Sequence, residues 1–235
     1  MVLFKYVNVS KTYAMCFSTR RTNPPYDNII FNQNSLPYVT AGRFLGIYFD
    51  PKLSFSQHID HVCSKISKTV GLFYRVFPSI PVSARVNLYY TLFYPYIFFC
   101  NLIWGGTYKT NLQPIVLLQK KVIRLICGES YRAHTNNLFF GQKILKFHDI
   151  HQLILCLYFF KNSERFSSHT HGYSTRNRDQ VVSAFERINL TQRSVNYAAP
   201  KAWNSLPSSL RNIQSYSKFK YELKLYLVNK YAEPH

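Results

Sequence analysis

The order of apolar and polar positions changes character near residue 52. Before it, short β-rich runs alternate with turn residues. YAMCFST at 13–19 reads as a strand, and RTNPPYDN at 21–28 as a turn by its prolines and asparagines. IIFNQNSLPYV and RFLGIYFD then read as further strands. After residue 52 the apolar positions take helical spacing. Ile59, Val62, Ile66, Val70, Phe73 and Phe77 share one face, and His58, His61, Lys65, Lys68 and Arg75 another, in a helix starting near Ser54 or Ser56. Pro78 and Pro81 end it.

A second helix is expected from about Pro81, a favourable first-turn residue, to Phe93 or beyond. A third spans roughly 112–127, with Thr110 as its cap, Pro114 in its first turn and Gly128 past its end. Its apolar set is Ile115, Leu118, Val122 and Leu125 or Ile126. Its basic set is Lys120, Lys121 and Arg124. A fourth starts at Asp149 and carries LILCLYFF, apolar nearly all round and therefore buried. SSHTHGYSTRNRD at 167–179 reads as an exposed loop. Trp203 reads as a packing anchor, and a last helix covers about 217–231 with Phe219, Leu223 and Leu227 in one stripe. The fold class is α+β, a small antiparallel sheet followed by a mostly α-helical region, in three segments: 1–52, 53–130 and 131–235.

Charge changes the picture most. Lys plus Arg is 29 against 10 Asp plus Glu, a formal +19. A polyanion offsets such self-repulsion, so nucleic acid is the first partner to consider and acidic lipid the second. A basic surface without a partner is the plain alternative. Apolar types at 47% and aromatics at 17% exclude a disordered composition. Residues 86–108 carry no charge and approach the length of a spanning helix. Asn87, Pro95, Asn101 and the tyrosines at 89, 90, 94 and 96 argue for a buried helix instead. The five cysteines are odd in number and scattered, as free thiols in a reducing compartment are. Lys5 interrupts the first segment, so no signal peptide is expected. The sequons at Asn8 and Asn189 then read as chance matches.

Candidate chemistry is narrow. Polymerases hold two metal ions on paired carboxylates. This sequence has no Asp-Asp and no DxD, and Asp27, Asp50 and Asp60 are too dispersed to propose a site. No phosphate-cradling glycine motif and no GxSxG is present. His58, His61 and Cys63 cluster, and His148 and His151 are three apart, but no further ligands have zinc-site spacing. What remains is basic helices interleaved with aromatics, a combination suited to phosphates and to stacking on bases.

An ordered series of segments carries a resemblance. VNVSKTYAMCFS at 7–18, with Asn8, Lys11 and Thr12, is followed by FLGIYFDPKLSFSQHIDHVCSKISKTVGLFYRV at 44–76, where Leu45, Gly46, Asp50, Leu53, His58 and Ile59 fill a recurrent pattern. LYYTLFYPYIFFCNLIWG, LQKKVIRLI, YSTRNR, YAAPKAWNSLP and SKFKYELKLYL come in order after it. Together they resemble the C-terminal part of reverse transcriptases of non-LTR, LINE-type, jockey-like retrotransposons. The resemblance implies a palm-edge remnant over 1–52, a thumb-like region over 53–130 and a C-terminal region over 131–235.

By the same resemblance, Lys11 would lie near an incoming nucleotide's phosphates, although its turn alone suggests only a solvated lysine. The turn at 50–53 would grip the primer. His61, Lys65, Lys68 and Arg75 on one helix, and Lys120, Lys121 and Arg124 on another, would face an RNA template and a DNA primer. The family's Tyr-x-Asp-Asp is missing, so the chain alone is expected to be inactive as an RNA-directed DNA polymerase. No cofactor is then expected here, the divalent metal (Mg) belonging to the parent enzyme. No small-molecule substrate and no membrane are expected, and the location is intracellular, nuclear or cytoplasmic. A stand-alone nucleic-acid-binding protein derived from a mobile element is the alternative, and a membrane protein using residues 86–108 a further one.

Overall fold

The structure is a computed structural model, and it describes residues 8, 11–18, 29–31, 33–166, 181 and 187–232. The expected turn at 21–28 and the loop at 167–179 lie outside the described residues. The chain divides into two compact units, residues 1–61 and 62–235.

The first unit carries two hairpins. Strands β1 (Ile29–Phe31) and β2 (Asn34–Leu36) pair antiparallel with Ile30 opposite Ser35. Strands β3 (Gly42–Phe44) and β4 (Ile47–Phe49) pair with Arg43 opposite Tyr48. The second turn is Leu45-Gly46, with φ of 47° and 89°. Positive φ at both central residues matches the right-handed twist of a tight hairpin, and glycine adopts it without a Cβ penalty. Residues 13–18 form no full strand, and among the described residues their pairing is a single parallel bridge from Ala14 to Tyr38. The two small sheets followed by helices make the chain α+β, as the apolar pattern predicts.

Helix α1 (Ser56–Val76) follows, and the boundary between the units falls within it. Ile59, Val62, Ile66, Val70, Phe73 and the following Phe77 are all buried. His58 departs from the expected polar face. It is 3% exposed, because its position lies only about 40° from the apolar arc. Phe77–Ser79 form a 3-10 turn, and Pro78 ends α1 there as expected.

Helix α2 (Val82–Leu88) takes Pro81 as its N-cap. It continues through a π-helical turn at Tyr89–Phe93 into α3 (Tyr94–Phe98), where the N–H of Tyr94 bonds to the carbonyl of Tyr89. Pro95 accounts for the widened turn. Its ring lacks an N–H and would collide with the carbonyl four residues earlier in a regular helix. Cys100, at φ 49°, then breaks the chain before α4 (Asn101–Trp104). Residues 86–108 are therefore several short helices. No helix among the described residues is long and apolar enough to cross a membrane.

Helix α5 (Lys109–Cys127) starts earlier than the sequence suggests, with Tyr108 rather than Thr110 at its N-cap. It ends at Gly128, φ 70°, where the N–H groups of Gly128 and Glu129 return to the carbonyls of Leu125 and Arg124. Leu112, Ile115, Val122, Ile123 and Ile126 are buried, while Leu118 is only half-buried. Helices α6 (Asn136–Gly141), α7 (Phe147–Lys161), α8 (Asn189–Gln192), α9 (Val195–Asn204), α10 (Ser208–Arg211) and α11 (Tyr216–Asn229) complete the second unit.

Helix α7 is its central element. Leu155 and Phe159 pack on Ala199 of α9, and Trp203 stacks on Phe159 with ring centroids 4.7 Å apart. Trp203 is the packing anchor expected of it. Phe219, Leu223 and Leu227 form the buried stripe of α11. Such apolar burial stabilises by about 25 cal/mol per Å2 removed from water, which outweighs the low helix propensity of the aromatic and β-branched residues that supply it.

Candidate nucleic-acid interface

In the first unit the turn around Lys11 is closed by one acceptor. The carbonyl of Asn8 receives the N–H of Lys11 at 3.1 Å and the hydroxyl of Thr12 at 2.9 Å. This explains the threonine of the Asn-x-x-Lys-Thr turn, whose hydroxyl makes the second bond, while the lysine side chain is exposed. Lys11 borders an open cleft of about 550 Å3 with Arg43, Tyr13, Phe17, Phe44 and Phe49. Tyr13 is fixed there by donating its hydroxyl to the carbonyl of Arg43 at 3.0 Å. Gly42 lets the ring lie close, since a Cβ would fall 2.8 Å from the Tyr13 hydroxyl. Arg43 was not among the expected site residues. Its neighbours in sequence give no periodic signal, and only the pairing of β3 with β4 turns it to this cleft.

The turn at 50–53 is organised by a carboxylate. Asp50 accepts the N–H of Ser54 at 3.1 Å and of Phe55 at 2.8 Å, while its carbonyl accepts the N–H of Leu53 at 2.9 Å. Leu53 and Phe55 sit at φ 49° and 57°, a region that side chains with a Cβ occupy reluctantly. The Asp50 bonds hold that bend in place directly before α1.

His61 is half-buried, its ring 5.2 Å from that of Tyr48. The neighbouring His58 is held at about 4, first by burial and then by the charge of His61. It is therefore neutral at neutral pH. On α1, Lys65, Lys68 and Arg75 are all exposed. At 100° per residue they fall within an arc of about 80°, away from the apolar arc. Leu72, exposed at 47%, lies in the same arc. The side is thus a basic stripe with one aliphatic interruption.

The three expected cations of α5, Lys120, Lys121 and Arg124, separate. Lys121 turns towards α1, its Nζ 5.1 Å from the centroid of the Tyr74 ring. Lys120 and Arg124 instead line a polar cavity of about 630 Å3 with Arg132 and His134. Arg124 donates its Nε to the carbonyl of Ala133 at 2.9 Å and lies 5.8 Å from the Tyr131 ring. Behind the cavity, Lys146 donates to Oδ1 of Asn136 at 2.9 Å and stands 4.0 Å from the Tyr231 ring. Burial holds the Lys146 ammonium below the ordinary lysine range, with Lys120 adding to the effect and Asp149 opposing it. Tyr231 in turn donates to Asp149. Arg132 and His134 were not expected site residues either, because they stand in a short irregular segment without helical spacing.

One further cation has a structural task. Arg85 donates to the carbonyls of Ile80 at 3.0 Å and of Ile126 at 3.0 Å, so its guanidinium caps the C-terminal end of α5. Among the described residues no group of three or more His, Cys, Asp or Glu side chains could hold a metal ion.

The chain is similar to the probable RNA-directed DNA polymerase from transposon X-element of Drosophila melanogaster. The two are 24% identical over 184 residues, which cover 77% of this chain and 19% of that protein. It is also similar to the RNA-directed DNA polymerase from mobile element jockey of Drosophila melanogaster, 26% identical over 191 residues, 80% of this chain and 20% of that protein. The jockey polymerase of Drosophila funebris matches at 25% over 175 residues, 72% of this chain and 19% of that protein. No family model matches the chain, and no solved structure matches it significantly. The chain spans about a fifth of the length of the curated relatives it matches. Over about three quarters of its own length, it is related to the RNA-directed DNA polymerases of non-LTR, LINE-type mobile elements, and it corresponds to a region of those reverse transcriptases.

Proposed function

We propose that this chain grips the template–primer of a retrotransposon RNA-directed DNA polymerase through its backbone phosphates and does not itself carry the chemistry of polymerisation. In this reading residues 1–52 are the edge of the palm, 53–130 the thumb and 131–235 the C-terminal region. The observation that carries it is the stripe of Lys65, Lys68 and Arg75, exposed along a helix whose opposite side is fully buried. A rigid helix holds its cations at fixed spacing, and A-form-like duplexes are recognised by shape and backbone rather than by sequence. Lys121 beside Tyr74 extends the positive surface from α1 to α5. Lys11 and Arg43, in the first unit, add a second basic site beside exposed aromatic rings. The chain's +19 charge is the long-range part of the same attraction. The partners are then an RNA template and a DNA primer, and the location is intracellular, nuclear or cytoplasmic.

The test is fluorescence anisotropy of a labelled blunt RNA–DNA hybrid titrated with the full chain at several salt concentrations. Affinity should fall with a log–log slope of roughly one per phosphate neutralised. The combined variant Lys65→Gln, Lys68→Gln, Arg75→Gln should lower that slope by about two to three. An unchanged slope would remove this helix from the interface, and salt-independent binding would remove the reading altogether. Activity is a separate readout: the chain alone should extend no primer.

A further inference from the structure

The cavity beside Lys120 and Arg124 has features that a general basic surface lacks. Its basic side chains come from two places, Lys120 and Arg124 on α5, and Arg132 and His134 on the segment before α6. Among the described residues, no carboxylate lines it. Arg124 is oriented by its Nε bond to Ala133, which leaves its two terminal amino groups for other acceptors. Asn136 gives its Oδ1 to Lys146, so its amide N–H groups are the part left to face a ligand. The walls therefore present donors and positive charge from several directions, which is the chemistry of a phosphate site. At about 630 Å3 the cavity lies within the 300–1,000 Å3 range of small-ligand pockets, so it has room for more than one phosphate group.

Beside it stands an exposed ring. Tyr131 is 80% exposed, yet the Arg124 guanidinium lies 5.8 Å from its ring centroid. An exposed aromatic beside a phosphate site is the combination that single-stranded nucleic acids use, one base stacking while the backbone is held by cations.

We infer that this cavity binds one nucleotide of a single-stranded segment, with its phosphate held by Lys120, Arg124 and Arg132 and its base stacked on Tyr131. The inference rests on the nucleic-acid-binding reading and adds to it a place where unpaired strand is held apart from the duplex. Within a duplex the stacked neighbouring pairs cover both faces of a base, so an internal paired base offers Tyr131 no face to stack on. The site therefore distinguishes overhang from duplex.

The experiment compares two labelled RNA–DNA hybrids by anisotropy with the full chain, one blunt and one carrying a short single-stranded extension. The unmodified chain should bind the extended hybrid more tightly. Tyr131→Ala and, separately, Arg132→Gln should cost roughly 5- to 100-fold on the extended hybrid and leave the blunt one unchanged. Tyr131→Phe should retain the preference, since stacking needs the ring and not the hydroxyl. Both side chains are exposed, so neither change empties a core, and unchanged unfolding midpoints would verify this. Short oligonucleotides with and without a 5′ phosphate separate the two sources of the anion. Equal affinity assigns the site to an internal phosphodiester, and a gain from the 5′ phosphate assigns it to a strand end. Equal losses on both hybrids, or no loss on either, would overturn the inference and leave the duplex grip standing. Absence of binding to both hybrids by the unmodified chain would overturn both.

Discussion

Asp50 Oδ1 accepts the backbone N–H of Phe55 at 2.8 Å, across five residues of chain. The bond spans a bend in which Leu53 and Phe55 both have positive φ. A second bond to Ser54 shares the carboxylate. The aspartate in the sequence pattern 50–53 is thus explained by local geometry, whatever else the turn does. Asp50→Ala should destabilise the chain by about 1–3 kcal/mol, since two donors lose a charged acceptor. Urea unfolding followed by tryptophan fluorescence and far-UV circular dichroism would read the change. A midpoint equal to that of the unmodified chain would mean that the bend holds itself.

Gln119 is 2% exposed and joins three elements. Its Nε2 donates to the Tyr89 hydroxyl and to the Leu145 carbonyl, each at 2.9 Å, and its Oε1 accepts the Phe147 N–H at 2.8 Å. Gln119→Leu keeps the volume but strands three buried polar groups. The cost should be about 3 kcal/mol or more, beyond that of an ordinary surface change. Thermal unfolding would show it as a fall of several degrees.

Gly105 lies against Asn101 and His151. A Cβ there would stand 2.6 Å from His151 Nδ1 and would crowd the Asn101 side chain as well. Asn101 also donates to the Ile97 carbonyl at 2.9 Å and pairs with His151 Nδ1 at 3.0 Å, so it has little room to yield. Gly105→Ala should therefore lower stability by about 1–3 kcal/mol, against a gain of under about 1 kcal/mol for the same change in an open helix. A stabilised variant would contradict the packing described.

Stability should fall on acidification. His58 and His151 are both held at about 4, chiefly by burial. Above their unfolded value of 6.5 each is neutral folded or unfolded, and the contribution is fully present. Between 6.5 and about 4 the unfolded chain binds protons that the folded chain refuses. Stability is lost there at up to about 1.4 kcal/mol per pH unit for each histidine. Asp149 opposes this at the acid end, because burial raises its carboxyl and the folded chain then holds the extra proton. Urea midpoints at pH 7.5, 6 and 5 should decrease in that order, and replacing both histidines with phenylalanine or glutamine should flatten the trend. A flat trend in the unmodified chain would show that neither imidazole is shielded.

The spacing of apolar residues by itself determined α1 and its buried side, because six apolar positions at helical period leave one way to remove them from water. It likewise determined the stop at Pro78, the end of α5 at Gly128, the stripe of α11 and the anchoring role of Trp203, each set by a residue's own backbone or bulk. The positive charge and the ordered segments of the reverse-transcriptase resemblance were legible for the same reason, since both are properties of order along the chain. Tertiary structure alone decided the rest. It buried His58 at the margin of the apolar arc, gave Gln119 its three partners, and replaced one long apolar helix by the π-turn and break around Pro95 and Cys100. It also parted Lys121 from Lys120 and Arg124, and brought Arg132 and His134 to the latter pair. Period along a helix says which way a side chain leaves its own axis. What stands opposite it depends on contacts between segments far apart in sequence, and those are fixed only when the elements pack.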